Sequence, residues 1–172
     1  MTPEEIIKRL LPHLPDEGQQ SKRAFALWCA ERVKHLNTDP RIEECLAVVR
    51  RKVADPTSVT NEDLKRAGDA IYYAARNVAY ARAVAYYAAS YATVVTDITY
   101  YAVAVANAAA NAAATAAAYA DNAASRNAAY GIERKAQVDW LVKTVSEHLE
   151  IRNYNPWMTQ EEFLLEALED RK

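Results

Sequence analysis

A tyrosine–tyrosine–alanine triplet occurs three times in this chain, and each copy starts 14 residues after the previous one. The copies span 72–74, 86–88 and 100–102, inside an alanine-rich run from Leu64 to Tyr130 that carries little charge. Fourteen residues are two heptads, and a repeat of about 3.5 residues per turn is typical of helices that pack side by side. The run therefore predicts long helices buried against one another.

The remaining composition also indicates an all-α fold. A chain of 172 residues suits one domain with a substantial core. Its three glycines leave few places for sharp turns, and all six prolines lie outside the central run, as a helical protein requires. We therefore predict one all-α domain over 1–172, a multi-helix bundle with long central alanine- and tyrosine-rich helices. N-terminal helices lie in 1–56, the long helices in 60–151, and a short C-terminal helix in 159–172.

Capping residues predict where several helices begin. Each precedes an apolar helical pattern, and three of them are followed three residues later by an acidic residue that can complete a capping box. These residues are Thr2, Asp39, Thr60 and Thr159. We expect further helices from about Ser21 to Leu36 and from Asp39–Pro40 to Asp55–Pro56.

The central run must fold back on itself. As one helix, residues 64–130 would extend about 100 Å, whereas a compact domain of this size is about 35 to 40 Å across. Clustered β-branched residues make 93–97 the weakest helical segment. Residues 120–126 and Gly131 are two further candidate breaks. We expect long helices near 61–92, 97–120 and 122–151.

Charge, cysteine content and hydropathy narrow the classes of function. A net charge of −2 gives no general electrostatic reason to bind nucleic acid. Cys29 and Cys45 lack a C-x-x-C spacing and are predicted to be reduced, buried thiols of a cytoplasmic protein. The uncharged segment 98–120 is long enough to cross a bilayer, but Asn107 and Asn111 within it favour a helix buried in protein. We expect no membrane association.

The sequence contains no recognisable catalytic set. His13, His35 and His148 are scattered and form no helical pair that could ligate a metal. Neither a glycine-rich phosphate loop nor a nucleophile motif is present. We predict a protein that is not an enzyme, with no catalytic residue, metal ligand or cofactor.

The best candidates for binding lie in the tyrosine-rich segment. Guanidinium groups beside tyrosines can hold an anion or stack on a base, although they can also reach solvent or pair with nearby aspartates. Two asparagines four residues apart form an uncharged polar stripe, which is either a solvent face or a docking face. The candidate residues are Tyr72, Tyr73, Arg76, Tyr80, Arg82, Tyr86, Tyr87, Asn107 and Asn111.

Two segments carry a family resemblance. Ala26-Leu27-Trp28-Cys29-Ala30-Glu31-Arg32-Val33, followed by Asp39-Pro40-Arg41-Ile42-Glu43-Glu44-Cys45-Leu46, resembles the all-α immunity protein family found beside toxins in bacterial polymorphic toxin systems and in related phage proteins. The resemblance continues through the alanine-rich run to Glu133-Arg134-Lys135-Ala136-Gln137. It implies a non-enzymatic protein that neutralises a toxin by binding it. The matched residues are Trp28, Glu31, Arg32, Asp39 and Arg41, for which a structural role in joining helices is the alternative.

Three functions remain open at this stage. The leading hypothesis is a cytoplasmic inhibitor, of bacterial or phage origin, that binds a protein toxin or defence protein. A second is a sponge that holds a small anionic, nucleotide-like signal between helices with Tyr73, Tyr80, Arg76 and Arg82. A third is a structural protein that assembles into a homo-oligomer through exposed alanine and tyrosine stripes.

Overall fold

The fold was analysed in a computed structural model, and residues 1–15, 19–37, 39–75, 87, 89–94, 97–120, 123–149 and 159–169 are described. These residues form α-helices and short 3-10 turns, and no strand occurs among them. The helices pack on one another around a shared apolar core. The predicted all-α multi-helix bundle is therefore confirmed.

Helix α1, Pro3–Leu10, begins with the predicted capping box. The Glu5 amide donates to Thr2 Oγ1, and the Thr2 amide donates to the Glu5 carboxylate at 2.6 Å. Ile6, Ile7 and Leu10 are buried, and a 3-10 turn at Leu11–His13 ends the segment. This amphipathic helix packs mainly against a long helix near the C-terminal end of the chain.

The next three helices follow from equally local signals. Helix α2 spans Gln20–Val33, with a 3-10 turn at Lys34–Leu36, and helix α3 spans Pro40–Ala54. Asp39 caps α3 by accepting a hydrogen bond from the Arg41 amide, with Pro40 in the first turn. Helix α4, Asn61–Ala75, starts at Thr60, whose hydroxyl and amide both donate to Asp63.

Two long helices form the centre of the bundle. Helix α5 spans Ile98–Ala120 and helix α6 spans Ala123–His148. They pack along each other, and α5 also packs against α2. The buried face of α5 is almost all alanine, including Ala102, Ala106 and Ala109. Side chains this small allow neighbouring helices to approach closely, and the burial of this face agrees with the prediction that the long helices of the run are buried against one another.

The predicted breaks have different outcomes. Helix α5 ends at Ala120 and α6 begins at Ala123, within the candidate segment 120–126. Residues 93 and 94 are not helical, and Asp97 adopts a positive φ of 46° before α5 begins. The prediction of a break at Gly131 was wrong, because Gly131 lies inside α6, where it is exposed. The short helix α7, Gln160–Glu169, begins at Thr159 as expected and buries Leu164 and Leu168.

The expectation of one helix over 61–92 was also wrong. Ser90 Oγ donates a hydrogen bond to the Gly68 carbonyl at 3.2 Å, whereas 22 residues of a single helix would separate the two by about 33 Å. Ala89 likewise meets α3, because its carbonyl accepts from Cys45 Sγ at 3.7 Å. The helical residues 89–92 therefore lie back against α4. Helix propensity, which is uniformly high along an alanine-rich run, could not reveal this.

Candidate functional site

Six tyrosines form a continuous series of ring contacts across three separate segments of the chain. Helix α4 contributes two near its end, two more stand at positions 87 and 91, and α5 contributes two near its start. Neighbouring ring centroids are 5.2 to 6.2 Å apart, a range in which aromatic pairs attract. We call this the tyrosine surface; in order of contact it consists of Tyr73, Tyr72, Tyr87, Tyr91, Tyr101 and Tyr100.

The tyrosine surface has exposed ends and a half-buried middle. Tyr73 is 63% exposed, Tyr100 65% and Tyr72 44%, whereas Tyr87 and Tyr91 are half-buried. Within the described part of the chain, none of the six hydroxyls takes part in a hydrogen bond. The phenol groups can therefore donate to and accept from a molecule that docks on them.

The surroundings of the tyrosine surface affect one ionisable hydroxyl and include two carboxylates. Burial is the main cause that raises the pKa of Tyr91, and its tyrosine neighbours raise it further. Two exposed carboxylates lie beside the rings: Asp69 precedes Tyr72 by three residues on α4, and Asp97 precedes Tyr100 by three residues at the start of α5. The rings thus form an amphipathic patch with a carboxylate near each end.

A groove between α1 and α5 adjoins Tyr100. Its volume is about 530 Å³, and its polar lining comes from Glu4, Lys8, Asp97, Tyr100 and Asn107. Lys8 Nζ lies 2.7 Å from the Glu4 carboxylate, and the hydrogen bond from Lys8 lowers the pKa of Glu4. The acidic and basic groups contributed by α1 therefore neutralise each other within the groove.

The structure brings only some of the predicted binding residues together. Tyr72, Tyr73 and Tyr87 share the tyrosine surface. The other four predicted side chains lie outside the described residues; they are Arg76, Tyr80, Arg82 and Tyr86. The arginine-centred nucleotide site consequently gains no geometric support.

The sequence interpretation also missed half of the tyrosine surface. Tyr100 and Tyr101 belong to the third triplet and could have been included on that ground. Tyr91 lies outside the triplets, but its spacing of four residues from Tyr87 places both on one helical face. That spacing was the available signal.

The two asparagines of the predicted polar stripe differ in environment. Asn107 is partly buried, and its Oδ1 accepts a hydrogen bond from Arg134 Nη2. Asn111 is exposed, and its backbone carbonyl accepts from Thr115 Oγ1 at 2.7 Å. Asn107 therefore contributes to an internal network, and the stripe is not a uniform docking face.

That network joins α2, α5 and α6 through buried polar groups. Arg134, which is 2% exposed, donates to Gln137 Oε1 at 3.2 Å and to the Tyr130 hydroxyl at 3.1 Å. Gln137 Nε2 donates to the Ala106 carbonyl at 3.0 Å and to Glu133 at 3.2 Å. Glu133 also accepts two hydrogen bonds from Arg32 Nε, at 2.9 and 3.0 Å. The network thus holds α5, one of the two helices that line the groove, against α2 and α6.

The residues matched by the resemblance have structural contacts. Trp28 is half-buried against Phe25 and Trp140, and the Arg32 guanidinium lies 4.9 Å from the centre of its ring. Arg32 joins α2 to α6, and Glu31 joins α2 to α3 through Arg50.

Asp39 and Arg41 pair with each other at the start of α3. That Asp39 and Arg41 also help to tie two helices together stays a prediction.

No group of three histidine, cysteine or carboxylate side chains in the described ranges is arranged to hold a metal ion. None of the described helices combines the length and apolar character needed to cross a membrane.

Comparison of the chain with family models, curated proteins and solved structures finds no match. The resemblance to immunity proteins stays a prediction, and the family of this chain is not assigned by similarity.

Proposed function

We propose that this protein is a non-enzymatic inhibitor that binds a protein partner through the tyrosine surface. A bacterial toxin or defence protein is the class of partner that the sequence resemblance implies. The observation that carries the proposal is the series of six contacting rings, with Tyr73 and Tyr100 well exposed at its two ends. Exposed tyrosines are common singly, but a linked set is a feature of binding surfaces.

The physical properties of tyrosine fit this role. A tyrosine side chain has two χ angles, so it offers a large contact area for a small loss of conformational entropy on binding. Its ring excludes water while its hydroxyl makes a directional hydrogen bond. The half-buried Tyr87 and Tyr91 contact Tyr72 and Tyr101, which in turn contact the exposed end rings and restrict their positions. Restricting a surface before it binds lowers the cost of association.

The direct test combines co-expression with measured binding. The chain would be expressed with each toxin or defence protein encoded by genes next to its own, and bacterial growth would report protection. Calorimetry on the purified pair would then compare wild type with Tyr73→Ala and Tyr100→Ala. Each substitution should weaken binding about tenfold or more, as expected for a hot spot of at least about 1.4 kcal/mol.

Ile132→Ala is the matched control, because Ile132 is 69% exposed on α6 and does not belong to the tyrosine surface. It should bind like wild type, and circular dichroism should show that all three variants stay helical. If the chain neither protects against nor binds any toxin or defence protein of the panel, the inhibitor function is refuted. Full binding by both tyrosine variants would instead refute the assignment to this surface.

The same proteins distinguish the other two hypotheses. A homo-oligomer that dissociates in Tyr73→Ala or Tyr100→Ala would identify a second copy as the occupant of the tyrosine surface. A bound mass of a few hundred daltons in native mass spectrometry would favour a small-ligand sponge.

A further inference from the structure

The tyrosine surface is flanked by carboxylates that have no partner of opposite charge among the described residues. Asp69 is exposed on α4, and residues three and four positions later on a helix share its face, which places it beside Tyr72 and Tyr73. Asp97 immediately precedes α5, and it lines the same groove as Tyr100. Asp97 Oδ1 accepts a hydrogen bond from the Tyr100 amide at 3.2 Å, which holds the carboxylate at the start of α5.

The side chains that line the groove beside Tyr100 include two carboxylates, Glu4 and Asp97, and one basic group, Lys8. Lys8 is engaged by Glu4 at 2.7 Å, which leaves the Asp97 carboxylate without a counter-charge in the lining. Asn107 Oδ1 already accepts from Arg134. The groups available to a bound ligand are therefore the Asp97 carboxylate and the ring face and hydroxyl of Tyr100, which is 65% exposed. An aromatic face next to a carboxylate suits a cation.

We infer that the groove receives an arginine side chain of the protein partner, stacked on Tyr100 and paired with Asp97. This inference rests on the proposed function, and it specifies the charge of the partner surface as basic. A guanidinium is planar and weakly hydrated, so it can stack on a ring and donate to a carboxylate at the same time. A phosphate group would be repelled by Asp97 and Asp69, which disfavours a nucleic acid as the occupant. A groove of about 530 Å³ is large enough for this side chain.

The test needs no knowledge of the partner. Uniformly ¹⁵N-labelled protein would be titrated with N-acetyl-arginine methylamide, and amide chemical shifts would be followed by NMR. N-acetyl-citrulline methylamide has nearly the same shape without the charge and serves as the matched probe. The arginine probe should shift the amides of Asp97, Tyr100 and Asn107 saturably at millimolar concentrations, with at least tenfold weaker binding of the citrulline probe.

Asp97→Asn should reduce binding of the arginine probe at least threefold. Asparagine tolerates a positive φ and can still cap α5, so this substitution removes the charge with little change of structure. Asp139→Asn is the control, since Asp139 is an exposed aspartate on α6 that pairs with Lys135. It should leave binding of the probe unchanged.

Three results would overturn the inference: equal affinity for the two probes, shifts confined to other residues, or no saturable shift. None of them bears on whether Tyr73→Ala or Tyr100→Ala weakens binding of a protein partner. Failure here would therefore refute the basic character of the partner, while failure of the co-expression and calorimetry test would refute the inhibitor function itself.

Discussion

Replacement of Gly68 by alanine tests the least expected contact of the fold. Gly68 is buried on α4, and a Cβ atom built at this position would overlap Thr93 Oγ1 and lie 3.3 Å from Thr93 Cβ. Thr93 is 3% exposed, and its hydroxyl donates to the Ser90 carbonyl at 2.6 Å. The hydroxyl can yield only by breaking that bond or by moving the segment away from α4.

Two opposing effects decide how much Gly68→Ala changes the free energy of unfolding. Inside a helix, alanine is more favourable than glycine by about 1 kcal/mol. Overpacking a tight contact costs about 1 to 3 kcal/mol, and loss of the Thr93 hydrogen bond adds about 1 kcal/mol. We therefore expect Gly68→Ala to lower the free energy of unfolding by about 1 to 3 kcal/mol. In a Thr93→Ala background the overlapping atom is absent, so the same change should be neutral or stabilising by up to about 1 kcal/mol.

Urea unfolding of the wild type, both single variants and the double variant gives the coupling between the two sites. Gly131→Ala is the matched control, because a Cβ added at this helical, exposed glycine meets nothing within 4 Å. It should stabilise by about 0.5 to 1 kcal/mol. If Gly68→Ala stabilises the protein as much as Gly131→Ala does, residues 90–93 do not pack on α4 and the tyrosine surface loses its middle.

Three further predictions concern charge and burial. Hydrogen bonds, first from Arg50, lower the pKa of Glu43 from 4.5 to about 2, so its contribution to stability is present above pH 4.5 and is lost as pH falls towards 2. Because the Glu43 side chain is 54% exposed, this contribution is at most about 1 kcal/mol. In urea unfolding between pH 6 and pH 3, the free energy of unfolding of Glu43→Gln should fall less than that of the wild type, by the same amount. Burial raises the pKa of Cys45 to about 12 and also raises that of Cys29. Ellman's reagent at pH 8 should therefore react with both thiols only after the protein is unfolded. Rapid reaction of the native protein would contradict the burial of these thiols. Arg32→Leu should destabilise by about 2 to 4 kcal/mol because the buried Glu133 carboxylate loses its charged partner, and a loss below 0.5 kcal/mol in the same assay would show that the pair is not formed.

Local chemistry explains why much of the fold could be predicted. Thr2, Thr60 and Thr159 each begin a helix through contacts with a residue three positions away, and such contacts are visible in the sequence. The same holds for Asp39 with Pro40. The end of α5 near Ala120 could also be predicted, because a single helix over the whole alanine-rich run would not fit in a compact domain.

Long-range contacts explain what could not be predicted. Alanine-rich sequence is a good helix former everywhere, so propensity gave no reason to separate α4 from residues 89–92. Gly131 marked no break because one glycine in a helix costs only about 1 kcal/mol, which the packing of α6 exceeds. The network around Arg134 was missed for another reason. A buried arginine is rare, and its polar partner Asn107 lies on a different helix, 27 residues away along the chain.

The triplet repeat itself has a different meaning in the folded chain. In one straight helix, successive copies would lie about 21 Å apart and form a stripe of separate tyrosine pairs. Here Tyr87 and residues 89–92 lie back against α4. Tyr87 contacts Tyr72 at 6.0 Å, and Tyr91 contacts Tyr101 at 5.7 Å. Members of all three copies thus meet in one place. The regular repeat of the sequence therefore forms a single amphipathic surface. Buried alanines between the second and third copies, Ala89 and Ala92, leave room for the close packing that lets the rings touch.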